Sequence, residues 1–180
     1  MLPKPETEAG DPLAFPLVPR QVLNSIYDLN PAALRERGVR LVLCDLDNTL
    51  IPYEESLPSP ALLVWKKALE AQGITLFVVS NSRKSHRCPD FCAALGVGCV
   101  RHAGKPKRGG FERALLENHA SPGEAVMVGD QIFTDVWGAN RSGIFSVLVK
   151  PIAIGRNPLR AVRYWIETPF RRAGRKGSDL

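Results

Sequence analysis

The chain has 180 residues, of which 44% are hydrophobic and 23% charged, and its formal net charge is +6. This composition is ordinary for a globular protein and excludes a chain that is disordered or collagen-like as a whole. The length suits one domain, since domains cluster around ~100–150 residues. The sequence has neither a run of ~18 apolar residues nor a signal-peptide pattern at its start, so we expect a cytoplasmic protein that does not span a membrane.

The positive charge is concentrated near the C-terminus. Residues 150–180 contain eight basic and two acidic groups, and the first 149 residues contain equal numbers of both. Any attraction to an anionic partner is therefore expected to act through the C-terminal segment.

The predicted elements begin after a proline-rich segment. Residues 1–20 are expected to form an irregular arm that carries no chemistry of its own. Asn30 followed by Pro31 is typical of a helix start, and the next residues are predicted to form a short helix that Gly38 ends.

Short apolar runs then alternate with helical stretches. The runs cover residues 39–45, 74–80, 98–102, 125–130 and 145–150, and helices are predicted in 60–73, 82–96, 109–120 and 133–143. Near-continuous apolarity is typical of strands buried on both faces, as in a parallel sheet covered by helices. The alternation predicts an α/β fold over residues 21–150, with a doubly wound, Rossmann-like, mainly parallel sheet of five strands.

The last segment, residues 151–180, is predicted to be basic and partly helical. Four apolar residues recur at helical spacing and three arginines lie on other faces: Leu159, Val162, Ile166 and Phe170, and Arg160, Arg163 and Arg171. Pro169 is predicted to end this helix. Residues 156–176 are a candidate contact with an anionic membrane surface. The alternative is that the apolar stripe packs on the domain and the arginines only contact solvent.

Polar side chains follow four successive predicted strands. The first run ends at Asp45 and Asp47, the second at Ser80 and Asn81, the third is followed by Lys105, and the fourth by Asp130 and Asp135. Because ligands of doubly wound sheets bind at the carboxyl ends of the strands, we expect these residues to converge.

The neighbouring carboxylates of Asp45 and Asp47 indicate a bound cation or a shared proton, because two close anions repel each other. Mg²⁺, which prefers oxygen ligands, fits this pattern. Taken singly, each of the four strand ends is an ordinary turn or loop. Together they form a set suited to in-line phosphoryl transfer.

The segments that carry these residues resemble the four motifs of the haloacid dehalogenase (HAD) superfamily. They are DLDNTL (45–50), VSN (79–81), KPK (105–107) and VGDQIFTDVWGANRSG (128–143). Their combination resembles the class IIIA branch, and within it the YqeG-type subgroup related to phosphatidylglycerophosphate phosphatases. The resemblance extends from about Val18 to Val149 and implies a HAD-type phosphatase.

The resemblance also implies the role of each site residue. Asp45 would be the nucleophile that forms an aspartyl-phosphate, and Asp47 would be the general acid and then the general base. Mg²⁺ would be held by the carboxylates of Asp45 and Asp130 and by the main-chain carbonyl of Asp47.

Three further residues would bind the phosphoryl group, and one would support the metal. Ser80 and Asn81 would hold the phosphoryl oxygens, and Lys105 would offset their charge. Asp135 would support the ligand shell of the metal.

The spacing of the motifs leaves no room for a separate cap domain. Only 32 residues separate Asp47 from Ser80, and 23 separate Asn81 from Lys105, and each gap already contains a helix and a strand. An open site suits a phosphomonoester whose bulk stays outside, and the resemblance implies phosphatidylglycerophosphate or a related lipid phosphate at the inner face of the membrane. Soluble sugar, amino-alcohol or polynucleotide phosphates are the alternatives, although the chain has no dedicated nucleic-acid motif.

Three other interpretations fit the residues less well. In a receiver-type phospho-acceptor the acceptor aspartate lies on a later strand than the acidic pair, whereas here both acids follow the first predicted strand. An inactive binding module is disfavoured because every motif position is filled.

A zinc site can be built from His86, Cys88, Cys92, Cys99 and His102, but this set lacks a CxxC pair. The simpler interpretation is that the cysteines are reduced and act as small buried apolar residues. No pattern predicts an oligomeric state.

Overall fold

The structure, a computed structural model, describes residues 16–84, 86–153 and 158–176, with the side chains of 166–174 in the last range. Seven strands form one sheet: β1 (Gln21–Val22), β2 (Leu41–Cys44), β3 (Thr75–Val79), β4 (Gly98–Val100), β5 (Ala125–Gly129), β6 (Phe145–Leu148) and β7 (Arg175–Lys176). Their order is β4-β3-β2-β5-β6-β1-β7, and all neighbouring strands are parallel.

The α/β fold and its five predicted strands are confirmed as β2 to β6, but the strand count was too low. Two-residue strands at one edge, β1 and β7, extend the sheet. Neither has the length that reveals a strand by its apolar pattern, because each depends on pairing with a distant segment, such as Gln21 with Val147. The strand that ends at Asp45 is consequently the second of the chain and not the first.

Six helices connect the strands: α1 (Pro31–Glu36), α2 (Pro60–Ala71), α3 (Arg87–Leu95), α4 (Gly109–Glu117), α5 (Trp137–Arg141) and α6 (Pro158–Ala173). A π-helical turn, Ile132–Val136, precedes α5. The predicted start of α1 is confirmed, since the Asn30 side chain accepts a hydrogen bond from the Ala32 amide and Pro31 occupies the first turn. Gly38 follows with a positive φ of 79°.

The core lies on both faces of the sheet. In β2, Val42 and Cys44 face one apolar cluster, and Leu41 and Leu43 face the other. The first cluster includes side chains of α2 and α3, and the second includes side chains of α4 and α5. Helices therefore cover both faces, which is why the strands are apolar along their whole length.

The helix near the C-terminus continues past the proline that was predicted to end it. Pro169 lies inside α6, which ends at Ala173. The last turns are held by tertiary contacts: Phe170 packs against Ile132 and Leu148, and Arg171 donates to a main-chain carbonyl of the domain. These contacts offset the hydrogen bond that proline removes.

Some of the described α6 side chains pack on the domain and others face solvent. Phe170 packs on the domain, whereas Ile166 is exposed. Arg171 was predicted to face away, but its side chain is only 12% exposed. Leu159, Val162, Arg160 and Arg163 lie outside the described side chains.

The strand order reverses between β2 and β5, so their carboxyl ends form the crevice where ligands bind in doubly wound sheets. Between the predicted motifs the structure contains α2 with β3, then α3 with β4, and the described residues there include no separate cap. We also find, over the part of the chain described, no helix with the length and hydrophobicity of a bilayer-spanning segment.

Candidate active site

Three carboxylates converge at the reversal of strand order. Asp45 directly follows β2 and Asp130 directly follows β5, two strands that pair with Cys44 opposite Val128. Carboxylate oxygens of Asp45, Asp130 and Asp135 lie within 4.8 Å of one another. Asp45 and Asp130 are thus close enough to share one ion, and Asp135 joins them; metal binding by these residues stays a prediction.

Lys105 is buried among these acids. Its Nζ lies 2.7 Å from Oδ1 of Asp45 and 2.7 Å from Oδ1 of Asp135, and its side chain is 1% exposed. Burial alone lowers the pKa of Lys105, but the neighbouring carboxylates of Asp135 and Asp45 outweigh this effect and raise it. Lys105 is therefore a fixed cation beside the predicted nucleophile.

The carboxyl groups of Asp130 and Asp135 retain protons more readily than an ordinary aspartate does. Burial, together with repulsion from Asp45 and Asp135, raises the pKa of Asp130. Burial also raises the pKa of Asp135 to about 6, although Lys105 opposes this shift. A single ammonium group thus does not neutralise three clustered acids. This oxygen-only donor set with excess negative charge fits a hard divalent cation such as Mg²⁺.

The loop after β5 is shaped around Asp135. The Gln131 amide, just before the π-helical turn, donates to Oδ2 of Asp135 within that turn at 3.2 Å. A Cβ atom at Gly129 would collide with the Asp135 carboxylate. The glycine in the GDQIFTD motif is therefore required for Asp135 to fold back toward Asp45.

Asp47 is separated from this cluster and is held by Arg87. The Arg87 Nε donates to Oδ1 of Asp47 at 2.7 Å, and the Asp47 side chain is 17% exposed. The other Arg87 nitrogens donate to the main-chain carbonyls of Pro52 and Glu55. Arg87 therefore ties Asp47 to the loop that follows it, at the more open side of the site.

Ser80 and Asn81 lie at the end of β3, as predicted, but Asn81 has a further structural task. Its side chain donates to the Lys105 carbonyl and accepts from the Lys105 amide, both at 2.9 Å. The Ser80 hydroxyl is buried and accepts from the Ser82 amide at 3.0 Å. Asn81 thus fixes the backbone of Lys105, and phosphate binding by both residues stays a prediction.

Three residues around the site were missed in the sequence. Arg87 belongs to a helical stretch with several basic residues, and nothing in its spacing marks it. Glu167 accepts hydrogen bonds from the amides of Ile132 and Phe133, at 3.0 and 3.4 Å. Arg171 donates to the Asp130 carbonyl at 2.7 Å and pairs with Glu167 at 2.9 Å. Glu167 could have been singled out from the sequence, because it is one of only two acidic residues after residue 149, in a segment that is otherwise basic.

The structure brings together part of the alternative zinc set. The thiols of Cys88, Cys92 and Cys99 lie within 4.8 Å of one another, and among the described residues neither His86 nor His102 joins them. None of the four cysteines forms a disulfide.

Comparison with known proteins supports a phosphatase. A family model described as HAD-hydrolase-like matches residues 102–153. A protein of Bacillus subtilis (strain 168) named "Probable phosphatase YqeG" is 34% identical over 136 residues, which are 76% of this chain and 78% of that protein.

A more distant relative and a solved structure extend the comparison. "Phosphatidylglycerophosphate phosphatase 1, chloroplastic/mitochondrial" of Arabidopsis thaliana is 27% identical over 171 residues, 89% of this chain and 49% of that protein. An uncharacterised protein of Listeria monocytogenes shares the fold with a TM-score of 0.52 at 15% identity, over 73% of this chain and 99% of that one. With its parallel sheet and its strand-end acids and lysine, the chain belongs to the YqeG family of HAD-type phosphatases.

Proposed function

We propose that the protein is a Mg²⁺-dependent phosphomonoester hydrolase that acts through an aspartyl-phosphate on Asp45, with phosphatidylglycerophosphate or a related membrane lipid phosphate as substrate. The observation that carries the mechanism is the convergence of Asp45, Asp130 and Lys105 at adjacent strand ends. A transferring phosphoryl group is anionic and needs fixed positive charge and alignment above all.

Asp45 is the nucleophile in this proposal. Its main-chain amide extends the sheet by donating to the Val128 carbonyl at 2.9 Å, and its carboxylate is held by Lys105. One carboxylate oxygen attacks phosphorus, the new O–P bond forms, and the bond to the alkoxide leaving group breaks. Water then attacks the same phosphorus and releases phosphate, which restores the carboxylate.

Asp47 transfers the proton in both steps. It protonates the departing alkoxide and then takes a proton from the attacking water. The ion pair with Arg87 keeps its carboxylate two residues beyond the nucleophile in one orientation. Its partial exposure is consistent with a leaving group that enters from the solvent side.

The remaining site residues align the phosphoryl group. The Ser80 hydroxyl, which accepts one hydrogen bond, still has a proton to donate to a phosphoryl oxygen. Asn81 fixes the backbone of Lys105, and the second N–H of its side-chain amide is proposed to donate to a phosphoryl oxygen. The carboxylates of Asp45 and Asp130, with the Asp47 carbonyl, are proposed to hold Mg²⁺, and Asp135 supports them. When bound, the ion would supply positive charge beside the phosphoryl oxygens.

Three observations favour a lipid substrate. The described residues leave the site without a cap, and the Arabidopsis relative is named for phosphatidylglycerophosphate. A groove of about 430 Å³ also adjoins the site at Thr49, whose hydroxyl lies 3.5 Å from Oδ1 of Asp130. Exposed apolar side chains line this groove, among them Leu57 and Ile152. We propose that it accepts the part of the lipid next to the phosphate, with the exposed face of α6, which includes Ile166 and Arg172, against the membrane.

Phosphate release tests the proposal. Purified protein with Mg²⁺ would be assayed on phosphatidylglycerophosphate in vesicles, on soluble sugar, histidinol and polynucleotide phosphates, and on para-nitrophenyl phosphate. We expect the lipid to have the highest kcat/KM. Asp45→Asn should abolish turnover and phosphoenzyme formation, whereas Asp90→Asn, on the exposed side of α3, should retain both. Normal turnover by Asp45→Asn would refute the mechanism.

A matched pair of variants tests the substrate separately. Leu57→Ser, in the groove, should reduce activity on vesicles but not on para-nitrophenyl phosphate. Leu116→Ser, equally exposed on α4, should change neither. A preference for a soluble phosphomonoester, with no effect of Leu57→Ser, would leave the phosphatase mechanism intact and exclude the lipid.

A further inference from the structure

Three of the four cysteines form a cluster outside the carboxylate site. Cys88 and Cys92 lie one helical turn apart in α3 and are buried, and Cys99 comes from β4, the strand that follows α3. The three Sγ atoms lie within 4.8 Å of one another. This cluster, the thiol triad, is therefore held by a helix and a strand that pack together through the core.

Hydrophobic packing explains the burial of these cysteines but not the convergence of their sulfur atoms. Cysteine often serves as a small apolar side chain, and Cys88 and Cys92 belong to the core cluster of this face of the sheet. A packing role requires only that each side chain fills space. Here three side chains from two elements direct their thiols to one point.

The spacing fits a tetrahedral zinc site with little rearrangement. With Zn–S bonds of ~2.3 Å, sulfur atoms at the corners of a tetrahedron are about 3.8 Å apart. The upper bound of 4.8 Å can shorten to that value through rotation about the side-chain bonds. Cys99 is partly exposed, so the triad opens toward solvent on that side, where a fourth ligand can enter.

We propose that Cys88, Cys92 and Cys99 form a binding site for Zn²⁺, with the fourth coordination position occupied by water or an external ligand. Binding replaces three thiol protons with three Zn–S bonds and involves no change of oxidation state. The site is chemically distinct from the carboxylate cluster, because thiolates select Zn²⁺ whereas carboxylate oxygens suit Mg²⁺.

The triad also lies close to the proposed catalytic machinery. Arg87, which holds Asp47, immediately precedes Cys88 at the start of α3. Zinc in the triad would fix this first helical turn. The proposal itself does not depend on the catalytic mechanism, and its test does not require activity.

Cobalt substitution provides the first test. Co²⁺ bound by thiolates shows a sulfur-to-metal charge-transfer band in the near ultraviolet, which carboxylate-bound Co²⁺ lacks. Reduced, metal-free protein titrated with Co²⁺ should develop this band with one ion per chain, and Zn²⁺ should abolish it. Single serine variants of the triad cysteines should weaken binding by at least ~100-fold, whereas Cys44→Ala, on β2, should retain it.

A second measurement needs no variant. Alkylation by iodoacetamide, mapped by mass spectrometry, reports the protection of each thiol in the wild-type protein. Zn²⁺ should protect Cys99, the most exposed member of the triad, with one equivalent. Mg²⁺ at the same concentration should not. Absence of the charge-transfer band in the wild type, or alkylation of Cys99 that Zn²⁺ leaves unchanged, would overturn the proposal.

Discussion

Removal of the buried cation by Lys105→Met should destabilise the metal-free protein strongly. Lys105 lies 2.7 Å from two carboxylates and is 1% exposed, and methionine retains most of its length and apolar stem without its charge. Removing one partner of a buried ion pair typically costs 3–5 kcal/mol, because it leaves an uncompensated buried charge. We therefore expect the free energy of unfolding to fall by about 3–5 kcal/mol near pH 8.

The loss of stability should be smaller at acidic pH, because an unpaired buried carboxylate can become neutral by taking up a proton. An aspartate ordinarily has a pKa of 3.8. Keeping one protonated near pH 8 therefore costs at most about 6 kcal/mol, and near pH 5 at most about 1.6 kcal/mol, at ~1.4 kcal/mol per pKa unit. We therefore expect a loss of no more than about 1.6 kcal/mol near pH 5.

Urea unfolding followed by circular dichroism, with a chelator present, measures both values. Lys107→Met is the matched control, because Lys107 is exposed on the same loop and should change stability by less than ~0.5 kcal/mol. Mg²⁺ should restore part of the lost stability, since it also neutralises the acids. A loss below about 1 kcal/mol near pH 8, or one that is independent of pH, would refute the buried-cation argument.

Three further predictions concern the metal and the positioning residues. Burial raises the pKa of Asp135 to about 6 in the folded state, so the protonated form of this residue stabilises the metal-free protein. This stabilisation is fully present below pH ~4 and is lost as pH rises through about 6. Mg²⁺ requires the ionised group, so calorimetry should find its affinity rising over the same interval, and a flat profile would contradict this. Arg87→Met should reduce kcat by roughly 10–100-fold for alkyl phosphates, because Arg87 positions the general acid Asp47. The loss should be much smaller for para-nitrophenyl phosphate, whose leaving group needs no proton. Equal losses on both substrates would contradict the proposal that Arg87 acts through Asp47. Glu167→Gln should weaken Mg²⁺ binding by about 10-fold in calorimetry, whereas Glu117→Gln, exposed on α4, should not; identical affinities would show that the Glu167 contact does not support the metal site.

The sequence predicted the parts of the fold that short-range patterns encode. Apolar runs between turns identified β2 to β6, and the cap formed by Asn30 and Pro31 identified α1. The strand-end acids and Lys105 could also be predicted to converge, because parallel strands bring their carboxyl ends to one edge of the sheet. The geometry of Asp45, Asp130 and Lys105 agrees with that expectation.

The contacts that the sequence did not predict join distant segments. Glu167 is 35 residues from the amide of Ile132 that it binds, and Arg87 is 40 residues from Asp47. The periodicity of a sequence does not predict such pairs. An arginine that only contacts solvent and an arginine that holds a general acid occur in the same kind of helical sequence. Pro169 was misread for a related reason: tertiary contacts of Phe170 and Arg171 outweigh the local tendency of proline to end a helix.

The attachment of α6 to the loop after β5 affects how shortened forms of the protein would behave. A protein truncated after Ala153 would keep Asp45, Lys105 and Asp130, yet it would lose the carboxylate that accepts from the amides of Ile132 and Phe133. An unsatisfied buried amide costs about 1–3 kcal/mol. Crystallisation or fusion designs that discard the basic segment as a dispensable extension would therefore weaken the loop that presents Asp130, and the boundary should be set beyond Lys176, the last residue of β7.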